Sequence, residues 1–254
     1  MGINKITRRW WFAALIILFQ FLPPYASNGI NSVPQFLATH LMNAPMHHLG
    51  DWQIIFKLVP ILFILGIIFF GNRFSRIFAV YAGFAYLCFN LLQNFSYTQE
   101  YGLGILSQNL ITMLLVALFW FWEAAAGQNN FSPVKITPLK WLFIALAFLA
   151  FWDPINAVTR MPDFNLLYLI NNPGGAAFCM MTPFFLAVLI TFYPKVNLAL
   201  LRINSLAAVI IGIFNVLVVF SNPAVQWWFG VLHLPLFILG AYGLIIGYRP
   251  TPKE

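Results

Sequence analysis

"VPQFLATHLMNAP" at residues 33–45 and "MPDFNLLYLINNP" at 161–173 are one phrase written twice. Aligned without gaps, they share Pro34/Pro162, Phe36/Phe164, Leu41/Leu169, Asn43/Asn171 and Pro45/Pro173. The echo extends in both directions. "RWWFAAL" (9–15) matches "KWLFIAL" (140–146), with Pro23 opposite Pro154. Pro60 matches Pro183, "FNLLQNFS" (89–96) matches "FNVLVVFS" (214–221), and "GIL" (104–106) matches "GVL" (230–232). Apolar sequences coincide by chance at leucine, but not at proline and asparagine in collinear order. The chain therefore reads as two copies of one unit, 1–127 and 128–254.

Composition says what solvent the copies live in. Of 254 residues, 61% are hydrophobic and 7% charged, whereas a soluble domain carries about a quarter charged. Lipid must then be the solvent, and the bilayer the first partner. Apolar runs at about 10–22, 54–71, 77–93, 103–123, 139–152, 176–193, 203–220 and 228–248 predict eight transmembrane helices. Four helices per copy is an even number, so both copies enter from the same side. The fold class expected is an all-α integral membrane protein of two tandem parallel four-helix repeats. The segments 33–45 and 161–173 are too polar to span and read as interfacial or partly re-entrant caps on the outer face.

Orientation follows from the basic residues. With the N-terminus inside, Lys5, Arg8, Arg9, Arg73, Arg76, Lys135, Lys140, Lys195, Arg202, Arg249 and Lys253 fall on the cytoplasmic side, and only Lys57 and Arg160 fall outside. Both termini are expected to be cytoplasmic, in what reads as a prokaryotic cytoplasmic membrane. The net charge of +7 is thus topological, and no nucleic-acid partner is implied. The start resembles a signal peptide, but Pro24 or Tyr25 would occupy the position where cleavage needs a small residue, so the first helix is expected to stay.

Chemistry concentrates on the outer side, where the two copies also differ most. Asp153 lies near the outer end of the fifth run, at a depth where an ionisable group is a functional candidate. Arg160, seven residues on, would share its face if the helix continued past Pro154, and the two are expected to meet, directly or through Asn156 or water. Asp163, His233 and the paired amides Asn90 and Asn215 complete the candidate binding set. A second candidate is metallic. His40, Met46, His47, His48 and Asp51 in "HLMNAPMHHLGD" offer the ligand types that suit copper; solvated or capping histidines are the plainer reading. Cys88 and Cys179 are too few for a disulfide framework or zinc cluster. A phosphate loop, a dinucleotide fingerprint and a CxxC pair are all missing from the sequence.

The basic turn "GNRFSRIFAVYAG" (71–83), between the second and third runs of a four-helix unit that enters from the cytoplasm, resembles the turn of DoxX-type membrane proteins. The lysine that often follows the first helix in that family has no counterpart here. The resemblance implies a membrane partner in a redox system. Two function classes follow. The first is a multi-pass membrane module with an outward polar site between the repeats, acting as a carrier, a binding component or a membrane subunit of a larger complex. The second is a membrane-embedded enzyme or redox subunit acting on a quinone, lipid or copper at the outer leaflet. Enzyme or carrier stays open at this point, as does the cofactor.

Overall fold

The computed structural model describes residues 2–156, 159–221 and 227–249; Lys253, counted above to the inner side, lies outside them. Helices α1 (Ile3–Thr7), α2 (Trp10–Phe19), α3 (Val33–Met42), α4 (Gln53–Phe70), α5 (Ser75–Asn94), α6 (Ser107–Ala126), α7 (Pro138–Trp152), α8 (Phe178–Phe192), α9 (Leu198–Ser221) and α10 (Trp227–Tyr248) make up most of the chain. Each apolar run contains one of them. Length separates them into classes. Four stretches are long and apolar enough to cross a bilayer: Gly50–Asn94, Ser107–Ala126, Leu198–Leu217 and Trp227–Tyr248. Among the described residues four stretches meet that test, or five if the bent pair Leu166–Ala176 and Phe178–Phe192 is one span, against the eight crossings expected. Both α2 and α7 are cut short by the prolines that follow them, Pro23-Pro24 and Pro154. The segment Leu166–Ala176 bends by 101° into α8.

At 45 residues, the first long stretch would reach far beyond a bilayer as one rod. It reverses instead at Gly71, whose φ of 55° suits glycine. Past that turn Phe63 of α4 stacks on Tyr81 of α5 at 4.0 Å, so α4 and α5 run antiparallel.

Burial is uneven. Half or more of the spanning window is buried in α9 (61%) and α10 (50%), against 22% for Gly50–Asn94, so α9 is central and α4 peripheral. Without a hydrophobic drive between helices in lipid, close packing and internal hydrogen bonds must hold the bundle. A Cβ at Gly212 or Gly240 would lie 3.0 Å or less from atoms of the facing helix, so α9 and α10 meet almost backbone to backbone. The Tyr86 hydroxyl reaches Asn204 Oδ1 at 2.8 Å and Thr182 Oγ1 at 3.1 Å, joining α5, α8 and α9. Phe12 of α2 meets Phe119 of α6, and Phe143 of α7 meets Tyr242 of α10.

A small sheet caps one end, a departure from pure helix. Strands β1 (Tyr25–Ala26), β2 (Phe95–Thr98) and β3 (Gly102–Ile105) pair antiparallel in the order β1-β3-β2. "FSYT" alternates aromatic and small hydroxyl residues, a strand pattern, and Gly102 with φ 62° closes the hairpin. Helix α6 consequently starts at Ser107 rather than near 103. Helix α3 packs beneath this sheet through Phe36, which meets Tyr101 edge-on at 5.2 Å.

At the opposite end a buried knot joins the two halves of the chain. Glu123 accepts 2.6 Å hydrogen bonds from the Asn129 backbone N–H and from Asn197 Nδ2. Asn129 Oδ1 accepts from the Asn197 N–H, and Asn197 Oδ1 in turn caps α9 by accepting from the Ala199 N–H. Nearby, Arg202 is buried within α9 and donates to Gly247 O, Asn4 O and Thr7 Oγ1. It thereby docks α1 against α9 and α10.

Candidate functional site

Helix α7 ends abruptly. Asp153 is its C-cap in the left-handed region (φ 54°, ψ 59°), an excursion that aspartate tolerates better than most residues. Pro154 bars any further helical turn. A helix that ends inside a protein leaves carbonyls to be satisfied, and here side chains from other elements do so. Lys57 Nζ of α4 donates to Phe151 O. Asn172 Nδ2 donates to Asp153 O at 3.0 Å, and Trp228 Nε1 to Pro154 O at 2.8 Å. The negative end of a helix favours a cation, and Lys57 supplies one. It is completely buried, with its ammonium 4.7 Å from the centre of the Phe151 ring.

The carboxylate of Asp153 sits in the same nest. Its Oδ2 accepts from Asn172 Nδ2 at 3.1 Å, and the charges of Lys57 and, less strongly, Arg160 act on it. The 3-10 turn at Pro173–Ala176 wedges between α4 and the end of α7. Only glycine fits there. A Cβ at Gly174 would lie 2.4 Å from Asp153 Oδ2, and one at Gly175 would lie 3.0 Å from the Phe56 carbonyl group. Beyond Gly175 is a cavity of about 130 Å³ lined by Phe56, Val59, Tyr81, Cys88 and Phe89. The arrangement brings a buried lysine and a buried aspartate from different halves of the chain within electrostatic reach of each other, without a direct ion pair, at the sheet-capped end.

Asp153 and Arg160, expected to meet directly or through Asn156 or water, form no direct ion pair. The helix stops at Trp152, and the chain turns back so that Ile155 bridges Pro162. This carries Arg160, itself at φ 58°, to where its charge is felt by both Asp153 and His47. Asp153 is in a different company from the one its own segment suggested. Asp163 faces Tyr168, whose hydroxyl donates to its Oδ2 at 2.6 Å; that carboxylate raises the phenol's pKa.

The other candidates have local partners. Asn90 Nδ2 donates to Leu110 O at 3.0 Å, tying α5 to α6. Asn215 Nδ2 donates to Ile211 O of its own helix at 2.9 Å and approaches Cys179 Sγ at 3.7 Å. His233 is buried in α10 with Nδ1 2.7 Å from Phe229 O. Cys88 and Cys179 are both free thiols.

The histidine loop does not assemble as a ligand set. His40 is turned under the sheet, with Nδ1 2.7 Å from Ser96 Oγ and Nε2 3.2 Å from Gln93 O. Both ring nitrogens are thus engaged by the cap, and burial lowers the histidine's pKa. Met46 packs against the cluster of Ala177, Met180, Trp228 and Leu232. His47 is half-buried, and burial first, then the charges of Arg160 and His48, lower its pKa. Among the described residues no three of His, Cys, Asp and Glu converge to hold a metal.

No family model, characterised protein or solved structure matches this chain. The basic turn at 71–76 has an internal use in this fold. Asn72 Oδ1 accepts from the Phe131 N–H at 3.1 Å, and Arg76 lies against Gly127 and acts on Glu123.

Lys57, Asn172 and the Gly174-Gly175 pair escaped sequence reasoning. Lys57 counted only as an exception to the charge bias. Yet a lysine inside "IIFKLVPIL" is as costly as Asp153, and two such residues of opposite sign on the same side of the membrane form a pairing signal.

Proposed function

We propose that this chain is a multi-pass membrane carrier or binding component built from two four-helix copies, whose site is the buried Lys57–Asp153 couple. One observation carries the reading. Every residue of the site stands where its counterpart in the other copy cannot do the same work. By the Pro60/Pro183 match, Lys57 falls opposite Met180. By the Pro23/Pro154 match, Asp153 falls opposite Leu22. Asn172 falls opposite Ala44, and Gly174-Gly175 opposite Met46-His47. Residues shared by both copies, such as Asn90, hold helices together; those that differ meet around one charge pair. Such a pair in an apolar bundle costs desolvation that stability alone does not repay, and intramembrane ionisable groups of this kind mark binding and ion pathways. The matching contacts Phe12–Phe119 and Phe143–Tyr242 support the repeat.

In this reading both termini are cytoplasmic and the sheet-capped end faces outward. A ligand engages the site by competing with Asn172 for Asp153, or with the Phe151 carbonyl for Lys57. The experiment is a panel of radiolabelled organic acids, amines and amino acids presented to proteoliposomes of the full chain, with D153N alongside wild type. A compound taken up or bound by wild type and at least tenfold less by D153N supports the reading. Signal from no compound above protein-free liposomes, or equal signal from both proteins, sinks it. Topology reporters at the exposed Asn31 and Lys135 should report opposite sides.

A further inference from the structure

Helices α4 and α5 lie together near their shared turn, where Phe63 stacks on Tyr81 and a Cβ at Gly66 would overlap the Phe74 ring. Toward the other end they stand apart. The cavity of about 130 Å³ beyond Gly175 lies between them, with Phe56 and Val59 of α4 on one wall and Tyr81, Ala85 and Phe89 of α5 on the other. Two more of its lining residues, Ile55 and Phe84, are exposed, so it opens on the flank of the bundle, toward lipid. Neither Lys57 nor Asp153 lines it.

Tyr81 sets the chemistry. Its ring packs against Phe63, Phe78 and Phe185, yet its hydroxyl has no hydrogen-bond partner among the described residues. A phenol shielded from water ordinarily finds one, and an unpaired hydroxyl in an apolar medium is costly. Water could pair with it, but a trapped water needs two or more polar partners, and apart from the Cys88 thiol the other walls are hydrocarbon. A lipid acyl chain suits the hydrocarbon and leaves the hydroxyl unpaired. A ring carrying one oxygen satisfies both. Size narrows the choice further: an apolar cavity of roughly 150 Å³ takes one benzene, so this one has room for a single ring and not for two.

We infer that the α4–α5 cavity is a site for one uncharged single-ring molecule of the phenol class, which enters from the bilayer and pairs its oxygen with the Tyr81 hydroxyl. The site is separate from the Lys57–Asp153 couple and goes beyond the carrier reading.

The test is fluorine NMR of para-fluorophenol titrated into nanodiscs carrying the full chain, with protein-free nanodiscs setting the background. Wild type should show one saturable site per chain, taking para-fluorophenol about fivefold more tightly than fluorobenzene, the worth of one neutral hydrogen bond. A fluorinated naphthol, with two rings, should not occupy it. Tyr81→Phe should bring para-fluorophenol down to the level of fluorobenzene and leave fluorobenzene where it was. Ala85→Phe, which fills the cavity, should abolish saturable binding, whereas Leu91→Phe, at an exposed position of the same helix, should not. If Ala85→Phe does not fold, the naphthol carries the size test on the wild-type chain. No saturable signal above protein-free nanodiscs, equal affinity for the phenol and the benzene, or saturable binding of the naphthol would overturn the assignment. Asp153→Asn should bind para-fluorophenol as wild type does, so the transport reading can fail while this site stands.

Discussion

Residues 33–45 and 161–173 carry the same phrase and fold differently. The first forms helix α3, whose Phe36 and His40 are buried under the sheet. The second stays open, with a 3-10 turn at Leu166–Leu169 started by Asn165 Oδ1 accepting from the Leu167 N–H. Both then reach a proline that opens a further 3-10 turn, at Pro45–His48 and Pro173–Ala176. What each segment packs against accounts for the difference. The first meets a β-hairpin that presents Ser96 to His40; the second meets the broken end of α7, which needs donors. Local sequence supplied the punctuation, and the neighbouring element chose the conformation between.

The sharpest way to break this contrast is at Lys57. Replacing it by methionine, the residue at its counterpart, should leave Asp153 without its stronger cation in a poor dielectric and cost about 3–5 kcal/mol. The double variant Lys57→Met/Asp153→Asn should recover most of that loss. Thermal unfolding in detergent reads both, and additive effects would mean that the two charges do not cooperate. Next in size is Gly174→Ala. Its Cβ would collide with Asp153 Oδ2, and overpacking of this kind costs about 1–3 kcal/mol. Unchanged stability would show that the turn can move away freely.

Two amides sharpen the same comparison. Asn172→Ala strips donors from a buried site and should cost about 1–3 kcal/mol. Asn43→Ala removes an exposed bond to Thr39 O and should stay within about 0.5 kcal/mol. Equal losses would erase the distinction between the two segments.

The smallest effect is a pH dependence of the sheet cap. Burial lowers the pKa of His40 below its ordinary 6.5. When the cap opens, the histidine regains that ordinary value and binds a proton more readily than when closed. Cap stability is therefore complete above about pH 6.5 and falls as pH drops below it. Hydrogen exchange at the β2–β3 ladder, corrected for intrinsic rates, should show faster opening in acid. His40→Gln should flatten that profile.

Much of the helical framework was legible because apolar runs and their proline stops are local signals. The hairpin at 95–105 was not, since its strands are short and lie between two strong helical runs. The site was legible by halves. Asp153 stood out as a carboxylate at depth, but its partner was sought seven residues away on the assumption of a continuing helix. Lys57 lies almost a hundred positions upstream, and only the folding of α4 against the turn 173–176 brings it there. His40 looked like a ligand because a histidine's environment is set by residues such as Ser96 that its own segment does not contain.

The Glu123–Asn129–Asn197 knot has a mechanical consequence. It clasps the connection between the two halves to the start of α9 at the end of the bundle opposite Asp153. It is not the only tie between the halves: Tyr86 bonds Thr182 and Asn204, the Phe178 N–H bonds Gln93 Oε1, and Lys57 bonds Phe151 O at the far end. The seam is thus riveted at both ends, and a pull on Lys57 is shared by every rivet along it rather than by its own bond alone.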